Sequence, residues 1–333
     1  MHWIIRQLTL LLALWLLPTI AVAQSPIVLG ERLSLASQRL GETRSIDIYL
    51  PPSYHDPSLQ PQVYPVVYLL DAGADFRYFT TLMEKLAQGI PSVPELIVVG
   101  IESSERERDF VTGRKAFWDF VADELTPQLQ SKYRCSDYRI LVGHSLGGLA
   151  VITALCERPE LFRAYIAHDP SLWWGDNAGL RLLEAQRQRD FGGRILYLSY
   201  SGQKERDNGR QRHQQTISAL QRMIAEGAFR QLETYIAHYP EENHGSVQVR
   251  GNIDLMRRLF AELFIDRREI ELRPSTITEH YEALSRRLHY PFAPAEGYLR
   301  STAKWLEATG KRQQAEEVRA LLPARAVGPL ARP

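Results

Sequence analysis

A doubly wound α/β fold with a largely parallel sheet is predicted by three observations. Apolar, β-branched runs alternate with amphipathic helical stretches over most of the chain. Two of those runs, 64–70 and 96–101, are apolar without alternation, as strands buried on both faces should be. Residues 138–150 pass from another such strand through a glycine-rich turn into an Ala/Leu-rich helix. With 333 residues, 44% of them apolar, the chain can bury one large core and carry a small appendage.

Taken in order, the elements follow from local pattern. Residues 1–23 read as a cleavable leader. Arg6 supplies the positive start, and an apolar stretch from Leu8 to Leu17 is too short to span a bilayer comfortably. Pro18 breaks it, and Ala21-Val22-Ala23 has the small-residue spacing of a cleavage site. A periplasmic or secreted protein with no membrane span after cleavage of the leader is the expectation. Residues 31–37 and 44–50 alternate as two strands with a tight connection, the second ended by Pro51-Pro52. A Pro-rich loop leads to strand 64–70, and a helix follows to about Leu86. After strand 96–101 come a charged loop, 102–115, and an amphipathic helix from Phe117 to Leu129. Beyond the strand–turn–helix unit at 138–156, strands at 164–167, 194–200 and 232–238 alternate with helices at about 178–188, 205–226 and 248–263. From about Asp266 the pattern is purely helical, with two or three helices in 277–289 and 297–322 separated by Pro291 and Pro294. The domain reading is therefore 24–265 for the α/β unit, 266–322 for a helical extension and 323–333 for a disordered, proline-containing tail.

Charge and composition narrow the function. The net charge is +1, and Arg6 is the only charged residue of the leader, so the remainder is neutral. Nothing points to nucleic acid as a partner. The nine histidines and two cysteines show no metal-ligand spacing, so no metal site is expected. Cys135 and Cys156 fall at the same end of the sheet. An oxidising compartment would permit a bridge between them, and two separate thiols are the alternative.

The chemistry centres on Gly143-His144-Ser145-Leu146-Gly147-Gly148. G-x-S-x-G between a buried strand and an apolar helix is a nucleophile elbow: the glycines relieve crowding around a strained serine whose Oγ stands over a helix N-terminus. A serine needs a base, and the base needs an orienting acid, in the chain order Ser–acid–His. His244, in a Gly-containing loop after the last strand, is the base. Glu205 is the first choice for the acid because it follows the strand that ends at Tyr200. Asp207 is the alternative, and Asp169, after the preceding strand, ranks behind both. Backbone N–H groups of Leu146 and of Gly73 (alternatively Ala72) would hold an oxyanion. Asp71, His144, Trp173 and Trp174 complete the expected pocket. Arg106 and Arg108 could attract an anionic substrate, although acidic neighbours alternate with them.

These segments resemble the Putative esterase family of α/β-hydrolases, which includes esterase D, the mycolyltransferases and the periplasmic siderophore esterases. The resemblance runs from about residue 25 to 265. It rests on Leu69-Leu70-Asp71, the elbow, Pro170-Ser171-Leu172-Trp173-Trp174 and Asn243-His244-Gly245-Ser246, the last two closest to the siderophore-esterase branch. There the first turn usually reads Leu-Asp-Gly; here Ala72 stands in the glycine's place. The resemblance implies an α/β-hydrolase sheet of about eight strands and a cofactor-free serine esterase acting on a small-molecule ester. It also implies a C-terminal helical extension, which could contact another protein. A thioesterase or acyltransferase would use the same residues. A non-catalytic binding module would have no need of a strained serine.

Overall fold

The computed structural model describes residues 26–103, 105–202 and 208–323, with backbone alone at 208–210. The expected leader and residues 324–333 lie outside them. β1 (Glu31–Ser37) and β2 (Glu42–Tyr49) form the antiparallel start. β3 (Tyr64–Leu70), β4 (Ile97–Ile101), β5 (Cys135–His144), β6 (Ala164–His168), β7 (Asp190–Ser201) and β8 (Arg230–Tyr239) complete one sheet. The strand order is β1-β2-β4-β3-β5-β6-β7-β8, antiparallel at β1/β2 and β2/β4 and parallel at every other pairing. This is the α/β-hydrolase fold, with the elbow on the fifth strand.

Alternation along the central strands divides the core between two faces. Tyr68, Leu70, Leu141, Tyr165, Ala167 and Leu198 point to one. That face is covered by α2 (Arg114–Phe120) and α3 (Thr126–Lys132), joined through a π turn, then α4 (Leu146–Glu157), α5 (Trp174–Glu184) and α6 (Asn208–Ala225). Val67, Leu69, Ile140, Val142, Ile166 and Ile195 point to the other. There α1 (Ala72–Ala87) and α7 (Val247–Leu259) pack beside the C-terminal helices.

Among the described residues those C-terminal helices are α8 (Arg267–Leu272), α9 (Thr276–Leu288), α10 (Glu296–Ala308) and α11 (Arg312–Arg319), the last three on the two stretches read as helical. Ile277, Leu284, Leu299, Leu306 and Val318 are buried in the same cluster as the strand residues Val67, Ile140 and Ile166. The extension therefore forms part of one wall of the core.

The charged segment read as a loop also differs. Arg108–Thr112 coils into a π turn because its middle is anchored: Phe110 is fully buried, and buried Asp109 pairs with Arg44 at 2.6 Å. Cys135 and Cys156 are free thiols, and burial pushes both up to about 12. No helix among the described residues is long and apolar enough to cross a membrane.

Candidate active site

The parallel strands deliver their carboxyl ends to one edge, and pairing sets the level. His144 pairs with His168, His168 with Ser199 and Ser199 with Ala237, so β5 to β8 end in step. Three neighbouring strand ends carry left-handed backbone: Asp71 after β3 (φ 56), Ser145 after β5 (φ 58) and Asp169 after β6 (φ 41). Such conformations cost about 1–3 kcal/mol each and persist where the surroundings over-determine them. At Ser145 the surroundings are visible. Its N–H donates to His168 O at 3.0 Å, and its carbonyl accepts from the N–H groups of Leu149 and Ser171, each at 3.0 Å. The chain can turn this tightly because residue 143 is glycine: a Cβ there would lie 2.4 Å from Gly147 O.

His244 reaches the serine from the loop after β8. That loop is pressed onto the end of β7 at Gly202, whose N–H donates to Tyr239 O at 2.9 Å; a Cβ on Gly202 would lie 2.1 Å from Pro240 Cα. His244 Nε2 and Ser145 Oγ are 3.1 Å apart, and His244 Nδ1 is 2.7 Å from Asp169 Oδ2. The ionised carboxylate can only accept, so Nδ1 carries the hydrogen and Nε2 is left to accept from the serine hydroxyl.

The carboxylate at this position is thus Asp169, which ranked third in the sequence. Glu205 and Asp207, ranked above it, lie outside the described residues. Asp169 is only 2% exposed. Its Oδ1 accepts from Ser201 N–H and from His213 Nε2, both at 3.0 Å, and its Oδ2 accepts from Ser201 Oγ at 2.8 Å as well as from His244. Burial alone would raise this carboxyl. The hydrogen bonds from His213, His244 and Ser201 outweigh it and hold the group well below the usual carboxylate range. The end of β7, expected to carry the carboxylate, supplies donors to Asp169 through Ser201.

His144 lies beside the base, its ring 4.5 Å from that of His244 at 43°. Its Nε2 is buried with no hydrogen-bond partner among the described residues. Burial, then the neighbouring His244 and His168, push His144 down to about 3, so it stays neutral. Asp71 accepts from Nε and Nη2 of Arg106 at 2.7 and 3.0 Å, and Nη2 also reaches His144 O at 3.4 Å. Arg108 is bonded to Glu42 and Asp109. Both arginines offered to an anionic substrate therefore already face carboxylates.

Leu146 opens α4, while Ala72 and Gly73 open α1; neither helix has a side-chain cap bond at its N-terminus. Because β3 and β5 are adjacent, these first-turn N–H groups, which lack intrahelical acceptors, emerge from neighbouring strands. Trp174 N–H donates to Ser171 O at 3.0 Å, so the tryptophans follow the turn that braces Ser145. Their rings are 5.7 Å apart and half-buried, so neither is wholly core.

Sequence reasoning missed Ser201 and His213. Ser201 gave no signal. His213 gave one: it occupies the inward stripe of α6 with Thr216, Ile217 and Leu220, where a polar ring needs a partner.

The chain is similar to known proteins. Ferri-bacillibactin esterase BesA of Bacillus subtilis is 31% identical over 176 residues, 44% of this chain and 60% of that protein. The siderophore triacetylfusarinine C esterase of Aspergillus fumigatus is 28% identical over 170 residues, 45% of this chain and 58% of that one. The chain thus spans about three fifths of the length of these curated relatives. A solved IroE-like serine hydrolase from Shewanella oneidensis superposes with a TM-score of 0.79 at 29% identity, covering 88% of this chain and 98% of that one. The model of the family described as Putative esterase matches residues 37–251, from the end of β1 into α7, and the chain belongs to that family.

Proposed function

We propose that the protein is a serine carboxylic-ester hydrolase that works through an acyl-enzyme on Ser145. One observation carries this reading: the unbroken line from Ser145 Oγ through His244 to Asp169, with distances of 3.1 and 2.7 Å. Ser145 Oγ attacks the ester carbonyl carbon while His244 Nε2 takes its proton. Asp169, ionised at neutral pH, orients the ring and stabilises the imidazolium. The N–H groups of Leu146 and of Gly73 or Ala72 hold the oxyanion. Collapse of the tetrahedral species expels the alcohol, which takes the proton back from His244. Water then attacks the acyl-enzyme with the same base, releasing the acid and freeing Ser145.

For the substrate we propose a siderophore-type ester with aromatic acyl groups. The names of the relatives favour it, and the half-buried Trp173–Trp174 pair offers ring surface for stacking. Residues 1–23 would direct the protein out of the cytoplasm.

The test uses purified protein with short-chain p-nitrophenyl esters and a catecholate trilactone. Wild type should turn over, and Ser145→Ala and His244→Ala should each lose about 10⁵–10⁶-fold in kcat while remaining folded. A folded wild type that hydrolyses no ester and does not react with a fluorophosphonate probe overturns the reading.

A further inference from the structure

We propose that His213 is a positioning residue for this reaction, locking the Asp169 carboxylate from behind so that Oδ2 stays aimed at His244; this rests on the esterase reading above. The carboxylate is saturated. Each oxygen accepts two hydrogen bonds, and three of the four donors come from the end of β7 and from α6, the fourth being His244. His213 is the one ring among those three, and its side chain is 10% exposed.

Its location argues for a purpose. The neighbouring inward positions of α6 are Thr216, Ile217 and Leu220, so an apolar residue at 213 would continue the buried stripe. An imidazole there loses its hydration and recovers it through the 3.0 Å bond to Asp169 Oδ1. The ionised carboxylate cannot donate, so His213 presents Nε2–H. Two imidazoles thus hold one carboxylate through opposite nitrogens: His244 through Nδ1 on Oδ2, His213 through Nε2 on Oδ1.

The two rings are not equally constrained. His244 is 54% exposed at its side chain and sits in a short loop beside Gly245. His213 is buried on an 18-residue helix. The base can keep its orientation only if its partner keeps its own, and a carboxylate otherwise free to turn about its Cβ–Cγ bond is fixed when donors hold both of its oxygens. Without His213, Oδ1 keeps only the Ser201 N–H among the described residues, and rotation would lengthen the bond to His244.

The experiment compares His213→Ala and His213→Gln with wild type and Asp169→Asn, recording kcat and KM separately. It also follows the downfield proton resonance of the His244 Nδ1–H, assigned by its loss in His244→Ala. His213→Ala should lower kcat by about 10- to 100-fold with little change in KM, and its resonance should move upfield as the bond to Asp169 weakens. Glutamine, whose amide can still donate to Oδ1, should restore the resonance and bring kcat to within about threefold of wild type. A folded His213→Ala with wild-type kcat and an unmoved resonance overturns the proposal. So does a folded glutamine variant no better than alanine, because packing alone would then be at stake. If alanine at 213 prevents folding, the glutamine variant decides: activity near wild type supports the proposal, and a loss as deep as that of Asp169→Asn overturns it. Should wild type cleave no ester, the esterase reading fails by itself. The resonance then decides the His213 contact: a shift with alanine that glutamine reverses supports it, and no shift overturns it.

Discussion

Two groups of buried carboxylates flank Ser145, and their surroundings drive them in opposite directions. At the end of β6, Asp169 is held well below the usual carboxylate range. At the end of β3 and in the first turn of α1, Asp71 and Asp75 are both raised, Asp75 to about 6. Burial pushes all three the same way. What differs is the supply of donors. Asp169 accepts four hydrogen bonds. Asp71 has the guanidinium of Arg106, which offsets burial in part. Asp75 has burial and the like charge of Asp71 against it, eased by Arg106 and a hydrogen bond from Gln248. Burial alone, then, does not say whether a carboxylate stays charged; the count and charge of its donors do.

The comparison can be broken at its strong end first. Asp169→Asn should cost about 10³–10⁴-fold in kcat, because an amide facing His244 Nδ1 favours the wrong tautomer, whereas Asp75→Asn should leave kcat within about threefold. Stopped-flow or steady-state turnover of one ester by both variants checks this, and equal losses would dissolve the contrast. Next, Arg106→Ala strips Asp71 of its counter-charge. Asp71 is 15% and Arg106 38% exposed at the side chain, so the loss should be about 1–2 kcal/mol, read from the urea midpoint. Adding Asp71→Asn should recover part of it. The smallest effect concerns pH. The folded-state value of Asp75, about 6, lies above the ordinary 3.8, so the unfolded chain gives up this proton first and stability falls as pH rises from about 4 to 6. Asp75→Asn should flatten that slope and raise stability at pH 7 by on the order of 1 kcal/mol after allowance for solvent screening. Asp169 has the opposite sign: its contribution is complete above the ordinary carboxylate range and is lost only as pH falls below it.

The legible parts of this molecule are those that short stretches of chain decide. Residues 64–70 show their double burial as an unbroken apolar run, and all seven are buried. Ser145 is legible because its strained turn needs glycine nearby, and the His244 loop because it follows the last strand. Which carboxylate meets His244 depends on which of two adjacent strand ends faces that loop, a choice made by long-range packing. Asp169 stood in plain view between His168 and Pro170, beside a segment already noted for its resemblance, with nothing local to set it above Glu205. The π turn at Arg108–Thr112 was hidden for a similar reason: Asp109 reads as a solvated charge until Arg44, on β2, is brought to it.

The C-terminal helices bear on how the molecule is made. Val318 on α11 and Val67 on β3 share one buried cluster, so the wall over that side of the sheet closes only once α11 is available. Until then the growing polypeptide presents Val67, Ile140 and Ile166 half-covered, a surface for chaperones or for aggregation. Contacts so distant along the chain also slow folding. A chain that stopped before α9 would hold every residue proposed for catalysis, but on a sheet with one side unsealed.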